Sequence, residues 1–219
     1  MSSVVIAGDT SGSVTLAAPS VAGTTTLTLP ASTGNVVTDS ATQTLTNKTL
    51  TSPTITGLSA SLPSGSVLQI VQATKTDTSS YSTSNTWTDL VGISASITPS
   101  STSNKILVIV SISSGCDGAQ SPDTLVRLKR NGSTVTGAIG DASGSKAQGS
   151  FGLNTWRSSY ELGNASFQYL DSPASTSSVT YGFDIKTGNT GYINRTYNDE
   201  NTAGGERGIS VITLMEIKG

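Results

Sequence analysis

No histidine occurs in this sequence. That excludes His-based catalytic triads and dyads and all His metal ligation. It also removes the one side chain whose ordinary pKa lies near neutrality. There is a single cysteine, Cys116. It leaves no intrachain disulfide, the usage expected of a chain made in a reducing cytosol. Charge is scarce, at 12% of residues against a usual share of about 25%. The net charge is −2, and the basic residues are scattered except for Arg127-Leu128-Lys129-Arg130. Without a basic stripe no nucleic-acid partner is expected. No apolar run approaches the ~20 residues of a membrane-spanning helix, and the N-terminus has neither the basic nor the apolar region of a secretion signal. Membrane insertion is therefore not expected.

What fills the space is Ser and Thr, about a third of the 219 residues, with 23 Gly besides. Such a chain disfavours long helices. Repeated Val/Ile runs in the second part argue against general disorder. The organising stretch is Thr44 to Gly57, TLTNKTLTSPTITG, which has a beat of five: Leu45, Leu50 and Ile55 each stand between two threonines. Helices want apolar steps of three and four, and strands want steps of two. A period of five suits short extended triplets broken by bends at Asn47-Lys48 and Ser52-Pro53. One small apolar tooth per triplet buries too little alone. It suffices if identical chains wrap together and Leu45, Leu50 and Ile55 stack along a common axis.

Residues 1–62 carry only Asp9, Asp39 and Lys48 as charges. They contain an apolar run at Val4-Val5-Ile6-Ala7, a turn at Gly8 to Gly12, and short strands at Val14-Thr15-Leu16 and Leu27-Thr28-Leu29, each followed by a proline. Leu62-Pro63-Ser64-Gly65-Ser66 reads as a boundary. Beyond it longer strands are expected at Val67 to Ala73, Trp87 to Ile97, Lys105 to Ser113, Thr124 to Arg130, Ser133 to Ile139, Ala165 to Leu170, Val179 to Lys186 and Ile209 to Lys218, with another possible around Trp156 to Leu162. KILVIVSIS is apolar on both faces and should be the most buried. Asn131-Gly132 between two strand-like runs is a hairpin signal. The expected fold is all-β: an extended N-terminal stalk or attachment segment over 1–62, then a β-sandwich, jelly-roll-like head over 63–219, assembled as a homotrimer.

SGSVTLAAPSVAGTTTLTLPASTGNVV, TLTNKTLTSPTITG, LPSGSVLQIVQ and the terminal ITLMEIKG resemble short tail-fibre-like virion proteins of tailed bacteriophages, of the marine and cyanobacterial type. The resemblance is most specific over the first seventy residues. It implies a virion protein, assembled in the host cytoplasm, whose N-terminal part joins other tail or capsid proteins. The C-terminal part would be a trimeric β head that touches a host surface glycan or protein. Head-decorating capsid fibres look similar, so decoration of the shell is the alternative.

No enzyme is expected. Gly140-Asp141-Ala142-Ser143-Gly144 is not the G-x-S-x-G elbow. Asp199 and Glu200, with Glu206 nearby, are adjacent on extended chain and point apart, a poor glycosidase pair. No calcium-loop spacing is present, and neither metal nor cofactor is expected. The best binding candidates are Tyr192, Arg195, Tyr197, Asn198 and Asp199, because sugars are held by aromatic faces and planar amide or carboxylate hydrogen bonds. Trp156, Arg157 and Tyr160 form a second set. The competing reading packs these tyrosines at the head's own subunit interface, where Tyr and Arg are also enriched. Arg127, Lys129 and Arg130 suit an acidic polymer or simply protect a strand edge. The Asn-x-Ser/Thr triplets at Asn47, Asn131, Asn164 and Asn194 are expected by chance in a chain so rich in Ser and Thr.

Overall fold

The computed structural model describes residues 3–7, 10–17, 62–116, 124–153 and 159–219, with isolated positions between 21 and 54. The teeth Leu45, Leu50 and Ile55, the expected strand at 27–29, and Trp156 and Arg157 lie outside the described residues. The chain divides into two compact units, Met1–Thr54 and Ile55–Gly219.

In the first unit, β1 (Ser3–Ala7) and β2 (Ser13–Ala17) form an antiparallel hairpin from Ser3↔Ala17 to Ala7↔Ser13. Successive side chains on a strand point to opposite faces. Val4, Val5 and Ile6 are 61%, 60% and 55% exposed, so β1 presents apolar side chains to both of its sides.

The second unit is all-β, built from twelve described strands and one 3-10 turn, Thr136–Ala138. The strands are β3 (Val67–Lys75), β4 (Ser79–Tyr81), β5 (Thr88–Asp89), β6 (Ala95–Ile97), β7 (Lys105–Cys116), β8 (Leu125–Arg130), β9 (Ser133–Thr134), β10 (Phe151–Gly152), β11 (Gly163–Asp171), β12 (Val179–Lys186), β13 (Gly191–Ile193) and β14 (Ser210–Ile217). They make two six-stranded antiparallel sheets. One runs β3-β14-β7-β13-β4, with β11 also on β7; the other runs β10-β8-β12-β5, with β6 on β12 and β9 on β8. β11 takes one side of β7, and β14 and then β13 take the other in succession.

Between the sheets lies one apolar core. β7 supplies Ile106, Val108, Val110 and Ile112, all with no exposed surface. β12 supplies Val179, Tyr181, Phe183 and Ile185, β8 supplies Val126 and Leu128, and β14 supplies Ile212 and Leu214. Each fully buried aliphatic side chain contributes about 1.5–3 kcal/mol. The expected alternation of β12 is present, but Asp184, on the outer side, is itself buried because Arg127 and Lys129 close over it.

Three expectations need correction. β7 is not buried on both faces: Leu107 and Ile109 are only half-buried on the sheet's outer side. Trp87 to Ile97 is not one strand. Leu90 and Ile93 are both buried, and positions three apart cannot share a face at a period of two. The chain therefore bends between β5 and β6, with Gly92 at φ +87°. The return strand after Asn131-Gly132 stops at Thr134, where the 3-10 turn carries Val135 and Ala138 into the core. The turn itself is as expected, with φ of 49° and 80° at its two residues.

Polar ties close the ends of the two layers. Asp171 of β11 accepts hydrogen bonds from Arg130 Nη1 at 2.7 Å and the Tyr181 hydroxyl at 2.6 Å, joining one sheet to the other. Glu216 of β14 is wholly buried. Its carboxylate accepts from Gln69 Nε2, the Ser100 amide and hydroxyl, and Asn104 Nδ2, at 2.6 to 2.8 Å.

Candidate functional site

β13 leaves the sheet after Ile193 and runs into a loop that returns at Ser210. Asn194 anchors the departure. Its buried amide donates to the carbonyls of Lys75 and Asp77, at 2.8 and 2.9 Å, and accepts from the Ser210 hydroxyl at 2.7 Å. Two glycines set how closely the loop folds back. A Cβ on Gly115 would lie 2.4 Å from the Arg195 carbonyl oxygen, and one on Gly205 would lie 2.3 Å from that of Glu200. Both distances are shorter than any real carbon contact, so only glycine permits these crossings.

On β13 and the start of that loop, four of the five expected binding residues, Tyr192, Arg195, Tyr197 and Asp199, come together, and Asn198 lies between the last two in the chain. The Arg195 guanidinium lies 4.2 Å above the Tyr192 ring, within cation–π range. Tyr197 meets Tyr192 edge-on, with ring centroids 5.5 Å apart. Arg195 Nη1 donates to the carbonyls of Thr196 and Tyr197, both at 3.2 Å, and stands 3.8 Å from Asp199. Asn198 is held through its backbone: its amide donates to the Ser159 carbonyl at 3.0 Å, and its carbonyl accepts from the Thr196 hydroxyl at 3.0 Å. Tyr160, from the second expected set, rests beside Gly204. Its companions Trp156 and Arg157 are outside the described residues.

Sequence reasoning missed Arg207. Its Nη2 pairs with Asp199 at 2.5 Å, and an isolated bridge joins Arg195 to Arg207. Glu206 is used structurally: its carboxylate accepts the Leu162 amide at 3.0 Å. Asp199, Glu200, Asn201, Thr202, Gly205 and Arg207 line a cavity of about 240 Å3. The result is a tyrosine–arginine platform beside a shallow polar hollow with carboxylates, an amide and a guanidinium at its rim. Planar hydrogen-bonding groups next to aromatic faces suit a polyhydroxylated ligand. Among the described residues no three His, Cys, Asp or Glu side chains gather as a metal site.

The basic cluster at Arg127, Lys129 and Arg130 is internally neutralised. Arg127 Nε and Nη2 donate to Asp184 at 3.0 and 2.8 Å, and the guanidinium stacks 4.2 Å over Trp87. Lys129 binds Asp89 and, at 3.0 Å, Asp184. The hydrogen bond from Lys129 holds the Asp89 carboxyl below its usual range and raises Lys129 in turn. Arg130 is raised by its bond to Asp171. The Gly140 to Ser150 segment is a closed turn, pinned by Gly140 N to the Gly149 carbonyl at 3.0 Å and Gln148 Nε2 to the Gly140 carbonyl at 2.7 Å.

Compared with known proteins, the chain matches no protein-family model, and no curated protein is significantly similar to it.

Proposed function

We propose that this chain is a non-enzymatic virion structural protein of a tailed bacteriophage, fibre- or spike-like and trimeric. In this reading residues 1–62 join the particle and the β head faces the host. The observation that supports it most is the contrast between the two units. The second encloses its own core. In the described hairpin of the first, the apolar side chains Val4, Val5 and Ile6 of β1 are more than half exposed. A two-stranded ribbon of that kind is at best marginal by itself. Its open edges and exposed valines suit a segment that is completed by strands of a partner. The platform of Tyr192, Arg195 and Tyr197, with Asp199 and the Asn198 backbone beside it, is then the surface offered to a host glycan or protein.

The test uses residues 62–219, which retain the Leu62 carbonyl that accepts Lys218 Nζ at 2.6 Å. This fragment should fold but fail to enter particles that lack the full protein. At saturating concentration it should inhibit adsorption of whole phage, and Tyr197→Ala with Arg207→Ala should abolish that inhibition. Incorporation without the first 61 residues would overturn the attachment assignment. A folded fragment that leaves adsorption unchanged would move the assignment to capsid decoration, where many copies cover the shell instead of a few trimers at the tail.

A further inference from the structure

The two sheets present opposite kinds of outer surface. Outside β5, β8 and β12 lie four charged side chains paired with one another: Arg127, Lys129, Asp184 and Asp89. Outside β3, β14, β7 and β11 the registers place Ile70, Met215, Leu107 and Leu170 in one transverse row. Ile70 is 60% and Leu170 is 45% exposed. Neighbouring rows add Val67 and Ile217 on one side, and Ile109 and Val211 on the other. The remaining positions are neutral: Gln72, Thr213 and Gln168 in one row, Thr74, Ser111 and Ser166 in the next. Lys105 at one margin is the only charge in these rows.

We infer that this face is where copies of the chain meet, turned toward a common axis; the inference rests on the trimeric reading given above. The occupant is a second copy for two reasons. The first is charge. A face without carboxylates or interior cations offers no ion pair to a charged partner, and a charged partner would lose its hydration there unpaired. A copy of the same face brings no charge to the interior of the contact, since its Lys105 stays at the exposed margin. The second is area. Four strands about 4.8 Å apart, over seven residues rising about 3.4 Å each, give a footprint of about 450 Å2 per copy. Three such faces turned to one axis total about 1,350 Å2, or about 450 Å2 for each pair of neighbouring copies, below the ~1,000 Å2 expected of a specific pairwise interface. That is enough for self-association when another segment of the same chain also holds the copies together, and weak on its own. The row of four apolar side chains then forms the dry centre, with Gln and Thr around it, as interface anatomy requires.

The experiment compares three full-length proteins by sedimentation velocity and circular dichroism. I70E/L170E places two carboxylates per copy on the face, at positions exposed enough to spare the monomer fold. V91E makes the same change at a residue that is 70% exposed but lies off this face. The wild type and V91E should sediment as the same oligomer. I70E/L170E should keep its β spectrum and dissociate, with association weakened by at least about a hundredfold, given two apolar anchors lost per copy. If the charged pair costs the β spectrum, I70T/L170T is used instead, because threonine is well tolerated on a strand surface. It should weaken association by about tenfold or more. A folded double variant with unchanged oligomeric state would overturn the face while leaving the trimer standing. A wild type that stays monomeric at about 100 µM would overturn both.

Discussion

Glu216 shows how one residue can hold a margin of this fold. It is a wholly buried carboxylate that accepts hydrogen bonds from neutral donors: an amide side chain from β3, a backbone amide and hydroxyl at Ser100, and the Asn104 amide. Burial pushes its pKa up, but the hydrogen bonds from Asn104, Gln69 and Ser100 outweigh it and hold the group below its ordinary 4.5. A carboxyl lowered in the folded state contributes stability that is complete above its unfolded pKa and lost as pH falls through the folded value. Stability should therefore be flat between pH 6 and 8 and decline below about pH 4.5, in melts followed by circular dichroism. Asp77 and Asp89 are lowered too, by Lys75 and Lys129, and there is no histidine to add a step near neutrality. A sharp step between pH 6 and 8 would contradict this account. Glu216→Gln turns an NH2 toward groups that themselves donate. It should cost about 2–3 kcal/mol in urea unfolding at pH 7 and flatten part of the acid decline. A loss below 0.5 kcal/mol, on the order of a neutral surface change, would show that the carboxylate is dispensable.

At the scale of elements, the strands with clean periodicity were legible. Val179 to Lys186 coincides with β12, and β7 and β14 fall where their Val/Ile runs stand. What the sequence concealed came from neighbours rather than from local pattern. β4, at Ser79–Tyr81, has one apolar residue, and only its pairing with β13 makes it a strand. Leu107 and Ile109 look like core in the sequence and face outward in the sheet. The proximity of Tyr192, Arg195 and Tyr197 was legible because they lie within six positions of chain. Arg207 was not, because its tie to Asp199 depends on the loop returning to bridge Arg195. The same return explains a glycine. Since Gly115 passes beneath the Arg195 carbonyl, Gly115→Ala must displace backbone rather than a flexible side-chain tip. It should destabilise the protein by about 1–3 kcal/mol and disturb the Arg195–Tyr192 stack. Gly140→Ala, whose added carbon would have no neighbour closer than 4.0 Å, should stay within about 0.5 kcal/mol. Equal urea midpoints for the two variants would remove the steric argument for how the loop is held.

For the whole molecule the question is what completes the first unit. The β1–β2 hairpin pairs two five-residue strands and leaves Val4, Val5 and Ile6 more than half exposed. Ribbons this small do not persist alone in water, and their amides open at little cost in free energy. The second unit has a shared core to resist opening, with Val108, Val110 and Ile212 fully enclosed. Hydrogen–deuterium exchange on the free protein should therefore divide sharply. Amides of Ser3–Ala17 should exchange nearly as fast as an unstructured peptide, and those of β7, β12 and β14 should be slowed by many orders of magnitude, in keeping with a global stability of about 5–15 kcal/mol. If the proposed virion role holds, the same measurement on protein assembled in virions should leave the second unit's protection at least as high and slow the hairpin by about a hundredfold or more, because its edges would then hydrogen-bond to a partner. If the hairpin is already protected in the free chain, it needs no partner, and its open faces cease to argue for attachment. If it stays unprotected in the particle, the proposed attachment must rest on other parts of residues 1–62, and the pentad teeth Leu45, Leu50 and Ile55 become the next positions to substitute.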